Sequence, residues 1–276
     1  MCIRDSPNTA ADRPIGGRQT SNNNKGSGQS CRTSGAGPTV PAMDIVLIPG
    51  LWLPADAWDL VVPALTELGH RAVPVALPGQ GDGDPTATLE DQVAAVVAAV
   101  DSAAGRPLVV GHSAAASLAW LAADARPDRV AGTVLIGGFR VGDGGPYADF
   151  FEPVDGLMAF PGWEPFEGPD AADLDEAARR RFSETAVAVP AGVSRGVVRL
   201  SDPRRHGVPV TVVCPEFSVE QAQAWVQAGD VSELAAAQHV EFMDIASGHW
   251  PMLTRPTELA RLLAVVAAGS AAEAPR

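Results

Sequence analysis

Two residues of the chain stand where serine chemistry would need them. Ser113 lies in Gly111-His112-Ser113-Ala114-Ala115, directly after the apolar run Pro107-Leu-Val-Val110 and at the head of an alanine-rich helical stretch. A strand that turns at once into a helix strains its central residue and admits only small neighbours two positions away on either side. Gly111 and Ala115 meet that need. Such a turn lifts the hydroxyl above the C-terminal end of the strand and aims the Ala114 N–H at a developing oxyanion. A serine here can also be a plain helix cap, but the strand–turn–helix setting favours a nucleophile. Of five histidines, His70, His206 and His239 read as surface or packing residues, and His112 is expected to point away from the serine it precedes. His249 lies in Ser247-Gly248-His249-Trp250-Pro251, after the last expected strand and before the final helix. From there a base can reach Ser113 across the strand tops. The competing reading is a loop histidine buried beside Trp250.

The elements that must position these residues alternate. Asp44 to Ile48 is a short β-branched apolar run closed by Pro49-Gly50, the pattern of a buried strand, and Arg71 to Ala76, Pro107 to Val110, Val130 to Ile136, Val208 to Cys214 and Val240 to Asp244 read as further strands. Between them, apolar residues recur at helical spacing: Trp58 to Leu68, Leu89 to Val100, Ala114 to Ala125, Val219 to Ala228, and a final helix through Leu259, Leu262, Leu263 and Val266 with Pro256 in its first turn. Such alternation implies a parallel sheet covered on both faces. Regularity fails from Arg140 to His206, a Pro- and Gly-rich stretch with one helix expected over 171–186. It reads as an insertion between two sheet strands.

Composition narrows the classes of function. The 276 residues are 46% hydrophobic and 19% charged, enough to bury a sizeable core. A net charge of −13 argues against nucleic acid or an anionic membrane as partner. No apolar run approaches the roughly 20 residues that span a bilayer. Three cysteines exclude a disulfide scaffold. There is no HExxH, CxxC pair, Walker loop or GxGxxG, so neither a metal nor an organic cofactor is implied. Residues 1–42 differ from the rest. They are rich in Gly, Ser, Asn, Thr and Pro without apolar periodicity, and they carry the chain's only lysine, Lys25. The expectation is a disordered leader, read as a spurious extension with the true start at Met43. The leader lacks the apolar stretch of a secretory signal, so the expected location is the cytoplasm.

With these residues in hand, the chain from Met43 to about Ala268 resembles the α/β-hydrolases, and within them, loosely, the methylesterase and hydroxynitrile-lyase-like branch. The resemblance is carried by Ile48-Pro49-Gly50-Leu51, Trp58, Leu77-Pro78-Gly79-Gln80-Gly81, Gly111-His112-Ser113-Ala114-Ala115 and Gly248-His249. It implies a mostly parallel central sheet flanked by helices, with a lid inserted over 140–206. It also implies Ser113 as nucleophile, His249 as general base and the backbone N–H groups of Leu51 and Ala114 as oxyanion hole. Three residues depart from the pattern. Pro49 replaces the usual histidine, Ala115 replaces the last glycine of the elbow, and Ser218 falls where the triad aspartate belongs.

A triad acid fixes the imidazole tautomer and stabilises the imidazolium. Glu216, in Cys214-Pro215-Glu216-Phe217-Ser218, lies two positions before the usual place, and its extra methylene gives it reach. Asp143 follows the fourth strand, where some relatives carry the acid, but Gly142-Asp143-Gly144-Gly145 also reads as a turn. Glu220 reads as a first-turn acid of the following helix. The third possibility is no acid, which slows a Ser–His pair without silencing it.

The insertion holds Tyr147, Phe150, Phe151, Phe160, Trp163, Phe166 and Phe182, seven of the chain's aromatics. They form either the roof of an apolar acyl or alcohol pocket or a small satellite core. Trp52, Trp250, Phe150 and Trp163 are the expected pocket residues. Asp170, Asp173, Asp175 and Glu176 face Arg179, Arg180 and Arg181 across a short helix and read as a solvated face. The expected activity is hydrolysis of a small, mostly apolar ester. Its rivals are a hydroxynitrile-lyase-like enzyme and a non-catalytic ligand binder. The first is opposed by the lack of any lysine after Lys25, since such relatives use one to manage cyanide. The second is favoured by the irregular acid position.

Overall fold

The computed structural model describes residues 42–272; the expectation of a disordered or spurious leader lies outside the described residues. β1 (Asp44–Ile48) and β2 (Arg71–Pro74) flank the helix α1 (Val62–Glu67). α2 (Leu89–Asp101) leads to β3 (Leu108–His112), α3 (Ala116–Ala125) and β4 (Gly132–Ile136). The insertion contributes β5 (Leu157–Met158), α4 (Glu176–Thr185), β6 (Val189–Pro190) and α5 (Ala191–Ser194). The chain then returns through β7 (Val210–Cys214), α6 (Val219–Ala228), α7 (Ser232–Ala235), β8 (Val240–Asp244), α8 (Pro251–Thr254) and α9 (Pro256–Ala272).

Six strands form one parallel sheet in the order β2-β1-β3-β4-β7-β8. Every residue of β3, β4 and β7 is buried, because helices cover both faces; this is why those segments read as unbroken apolar runs. The order has a consequence for function. From β1 the chain steps outward to β2, then crosses back to β3 on the other side. The connections therefore diverge between β1 and β3, and a crevice opens beyond their C-terminal ends. Ile48 pairs beside Gly111 there, so the loop after β1 and the turn after β3 leave the same edge side by side.

Several boundaries move from their expected places. β2 stops at Pro74 instead of Ala76. β4 starts at Gly132 because the Val130 N–H is spent on Arg126 O, in the turn after α3. The turn after β3 begins as a 3₁₀ segment, Ser113–Ala115, and becomes α-helical only at Ala116. The expected helix over 171–186 shrinks to α4, since the Asp175 side chain accepts the Ala178 N–H at 2.7 Å and caps the helix there. The antiparallel pair β5–β6 is too short to have left a period in the sequence.

Both ends of the insertion are anchored on the helices behind the sheet. Arg140 stacks 3.5 Å over the Trp120 ring of α3 and donates from Nη2 to Glu233 O, at 2.8 Å, in α7. At the other end, Arg205 contacts Asp124 at 3.2 Å and Glu233 at 3.3 Å, with all three side chains largely buried.

Candidate active site

The fold delivers Ser113 on a strained backbone. Its φ is +55°, a left-handed value rare for a residue with a side chain. Gly111 makes the turn possible, since a Cβ there would run into the carbonyl group of Ala115. The strain holds the hydroxyl off the helix axis at the C-terminal edge of the sheet, half-buried.

His249 comes from the loop between β8 and α8 and is buried. Its Nε2 stands 2.9 Å from Ser113 Oγ, and its Nδ1 stands 2.8 Å from Glu216 Oε1. Glu216 leaves the loop after β7, and its side chain is only 2% exposed. A carboxylate only accepts, so Nδ1 carries the proton and Nε2 is free to receive the one on Ser113. Ser218, at the position usual for the acid, is engaged elsewhere. It caps α6, its side chain accepting from Gln221 N while Gln221 Oε1 accepts the Ser218 N–H. Glu220 lies in the first turn of that helix. Asp143 lies apart from His249's partners. Its Oδ1 accepts the Leu200 N–H at 2.8 Å within the insertion, so it is a turn residue and not a partner of the imidazole.

Leu51 and Ala114, the residues whose N–H groups the sequence proposes for an oxyanion, are both buried and follow adjacent strands. The loop carrying Leu51 is fixed from two sides. Gln80 Nε2 donates to Gly50 O at 3.0 Å and to Leu53 O at 2.9 Å, and Gln92 Nε2 in turn donates to Gln80 Oε1 at 3.3 Å and to Pro78 O. From the insertion, Val187 N–H donates to Trp52 O at 2.9 Å, while Trp52 Nε1 donates to Met158 O at 3.1 Å. Trp52 itself sits at φ +64°. Sequence reasoning missed Gln80 as a positioning residue. Its signal was present as the one polar side chain of Leu77-Pro78-Gly79-Gln80-Gly81, but nothing local names a partner 30 positions away.

The aromatics of the insertion pack mainly on one another. Trp52 contacts Phe151, Phe160 and Phe166, and Trp250 contacts Trp163, Phe166 and Phe182, with centroids 5.4–5.9 Å apart. Trp250 also meets the His249 ring edge-on at 4.9 Å. Trp52, Trp163 and Trp250 thus join one satellite core above the strand tops. Phe150 does not. It is 38% exposed, and the neighbouring Phe151 turns inward in its place. The acidic segment is also not all solvated: Asp170 precedes α4, and its carbonyl accepts the His249 N–H at 2.7 Å. A cleft of about 480 Å³ lies between Leu53, Leu174, Phe182 and Leu253, and neither Ser113 nor His249 lines it.

Among the described residues no group of His, Cys, Asp and Glu is arranged to hold a metal ion, and no helix is long and apolar enough to cross a membrane. Burial pushes the Cys214 thiol up to about 12, with nearby carboxylates adding to it, so it is an inert strand residue.

A strained serine, an imidazole and a carboxylate on the tops of a switched parallel sheet define the α/β-hydrolase class. The model of the alpha/beta hydrolase family matches residues 45–262, and the chain belongs to that family. No curated protein matches the chain. Among solved structures, it is similar to an extracellular alpha/beta-hydrolase from a Paenibacillus species, described as sharing structural and functional homology with Tobacco Salicylic Acid Binding Protein 2. That match has 20% identity over 80% of this chain and 97% of that one, with a TM-score of 0.65. A pyrethroid hydrolase from Sphingobium faniae JZ-2 matches at 23% identity over 84% and 100%, TM-score 0.60. A methylesterase from Arabidopsis matches at 14% over 82% and 98%, TM-score 0.63. At these identities the likeness is one of fold. The protein is a hydrolase with esterase-like structural neighbours.

Proposed function

We propose that residues 43–276 form a single serine hydrolase domain that cleaves a small, mostly apolar ester, with residues 140–206 as its lid. The observation that carries this is the continuous line from Glu216 Oε1 through His249 to Ser113 Oγ, with both contacts under 3 Å. In this reading Ser113 Oγ attacks the ester carbonyl carbon while His249 Nε2 takes its proton. The charge forming on the carbonyl oxygen is met by the N–H groups of Leu51 and Ala114. Glu216 accepts the Nδ1–H throughout and stabilises the imidazolium. As the tetrahedral intermediate collapses, Nε2 returns the proton to the leaving alkoxide, which departs as an alcohol. Water, deprotonated by the same nitrogen, then releases the acid from the acyl-enzyme.

The apolar preference follows from what surrounds the serine. Trp52 flanks Leu51 and Trp250 flanks His249, both nearly fully buried. Two of its structural neighbours, a methylesterase and a pyrethroid hydrolase, are hydrolases of small organic molecules, which supports this reading. The test is a panel of p-nitrophenyl esters with acyl chains from acetate to decanoate, measured against Ser113→Ala. Turnover concentrated in the short chains and abolished in the variant is expected. Rates equal to those of the variant across the panel would contradict the proposal.

A further inference from the structure

We propose that His112 is a positioning residue for His249, holding the main chain of the base in register with the nucleophile. The proposal rests on the reading of His249 as the base. His112 is fully buried at the last position of β3, where it pairs with Ile136 and immediately precedes Ser113. Its ring lies beside that of His249, with the two centroids 5.0 Å apart. His112 Nε2 is 2.7 Å from the His249 carbonyl oxygen. A carbonyl only accepts, so Nε2 carries the proton and Nδ1 is a bare lone pair. That lone pair has no hydrogen-bond partner and faces Gly50, where a Cβ would stand 2.6 Å away. A second proton on the ring would find no acceptor. Burial first, and the neighbouring His249 imidazole second, hold His112 well below the ordinary histidine range. It is therefore a constant neutral donor while His249 cycles between its two charge states.

The need for such a donor follows from where His249 sits. It lies in a loop, outside any helix or strand ladder. Its N–H is held by Asp170 O of the insertion at 2.7 Å, and its carbonyl is held by His112. One of these bonds comes from a segment anchored far away. The other comes from the residue bonded to the nucleophile, so it ties base to serine through one rigid strand end. A misplacement of about 1 Å in reacting groups can cost about 100-fold in rate.

The experiment compares His112→Gln, whose side-chain amide can still donate, with His112→Phe, which fills the space without a donor. Both are assayed with the best ester of the panel at a temperature where circular dichroism shows them folded. His112→Phe is expected to lower kcat about 10- to 100-fold with KM within about twofold. It should also broaden the downfield proton signal of the His249 Nδ1–H bound to Glu216. His112→Gln should keep both kcat and that signal near wild type. Wild-type kcat and signal in His112→Phe, or an equal loss in His112→Gln, would overturn the proposal. If His112→Phe does not fold, His112→Asn, whose amide stops short of the carbonyl, replaces it with the same expected loss. His249→Ala is the control. Full activity there removes the reading of the base itself, whereas an inactive His249→Ala beside an active His112→Phe removes only this inference.

Discussion

The strand-top loops and the insertion over 140–206 hold their residues by different means. Ser113, Leu51, Glu216 and His249 each stand within about five residues of a strand end, and the ladder fixes their spacing before any side chain acts. The insertion has only a two-residue strand pair and short helices. It keeps its shape through rings packed on rings and through Arg140 and Arg205 at its two ends. Yet the two regions meet at three main-chain or near-main-chain contacts: Val187 to Trp52, Trp52 to Met158, and His249 to Asp170. The site is thus built by the sheet and trimmed by the insertion. The same difference decides which substitutions should be felt as lost chemistry and which as lost stability.

Changes in the strand-top residues should cost rate and spare the fold. Glu216→Gln keeps the shape but loses the charge that orients Nδ1–H. A fall in kcat of about 10³- to 10⁴-fold is expected in steady-state assays, with an unchanged melting temperature. A loss under tenfold would show that the carboxylate is only a loop residue. Changes in the insertion should do the reverse. Phe182 is 5% exposed and contacts Phe160, Trp163 and Trp250. Phe182→Ala is expected to cost about 3 kcal/mol in urea unfolding, with kcat at low temperature falling less than tenfold. A stable variant with kcat lost would mean that the ring serves the chemistry directly.

His112 lets the strand tops be probed by pH as well. Its folded pKa is depressed, so below the unfolded value near 6.5 the unfolded chain binds a proton that the folded chain refuses. Stability from this group is fully present above that value and is lost as pH falls toward the folded pKa. The slope is up to about 1.4 kcal/mol per pH unit. Relative to wild type, His112→Gln should flatten urea-unfolding stability between pH 6.5 and 5. Parallel curves would contradict the buried neutral assignment. The smallest effect belongs to Asp143→Asn, which keeps the acceptor for Leu200 N–H. Both kcat within twofold and stability within about 0.5 kcal/mol are expected.

The same contrast explains what could be read from the chain alone. α6 over Val219–Ala228 and β8 over Val240–Asp244 fall at their expected bounds, and Ser218 caps the first. The elbow was legible because Gly111, Ser113 and Ala115 state a steric requirement in five residues. Glu216 was one of three options, since loop reach depends on where His249 arrives from 33 positions away. His112 and Gln80 were legible as motif letters but not as positioning groups, because their partners lie 137 and about 30 residues off. In the insertion, whether Phe150 or Phe151 turned inward was decided by packing against Trp52, which no local period records.

The central claim is that Ser113 is activated by His249. The most direct measurement treats the folded protein with a fluorophosphonate probe and locates the adduct by mass spectrometry, with Ser113→Ala and His249→Ala alongside. The account predicts a single adduct on Ser113 in the wild type and none in either variant. Folded wild-type protein that stays unlabelled, or labelling of Ser113 that persists at the same rate in His249→Ala, would contradict it.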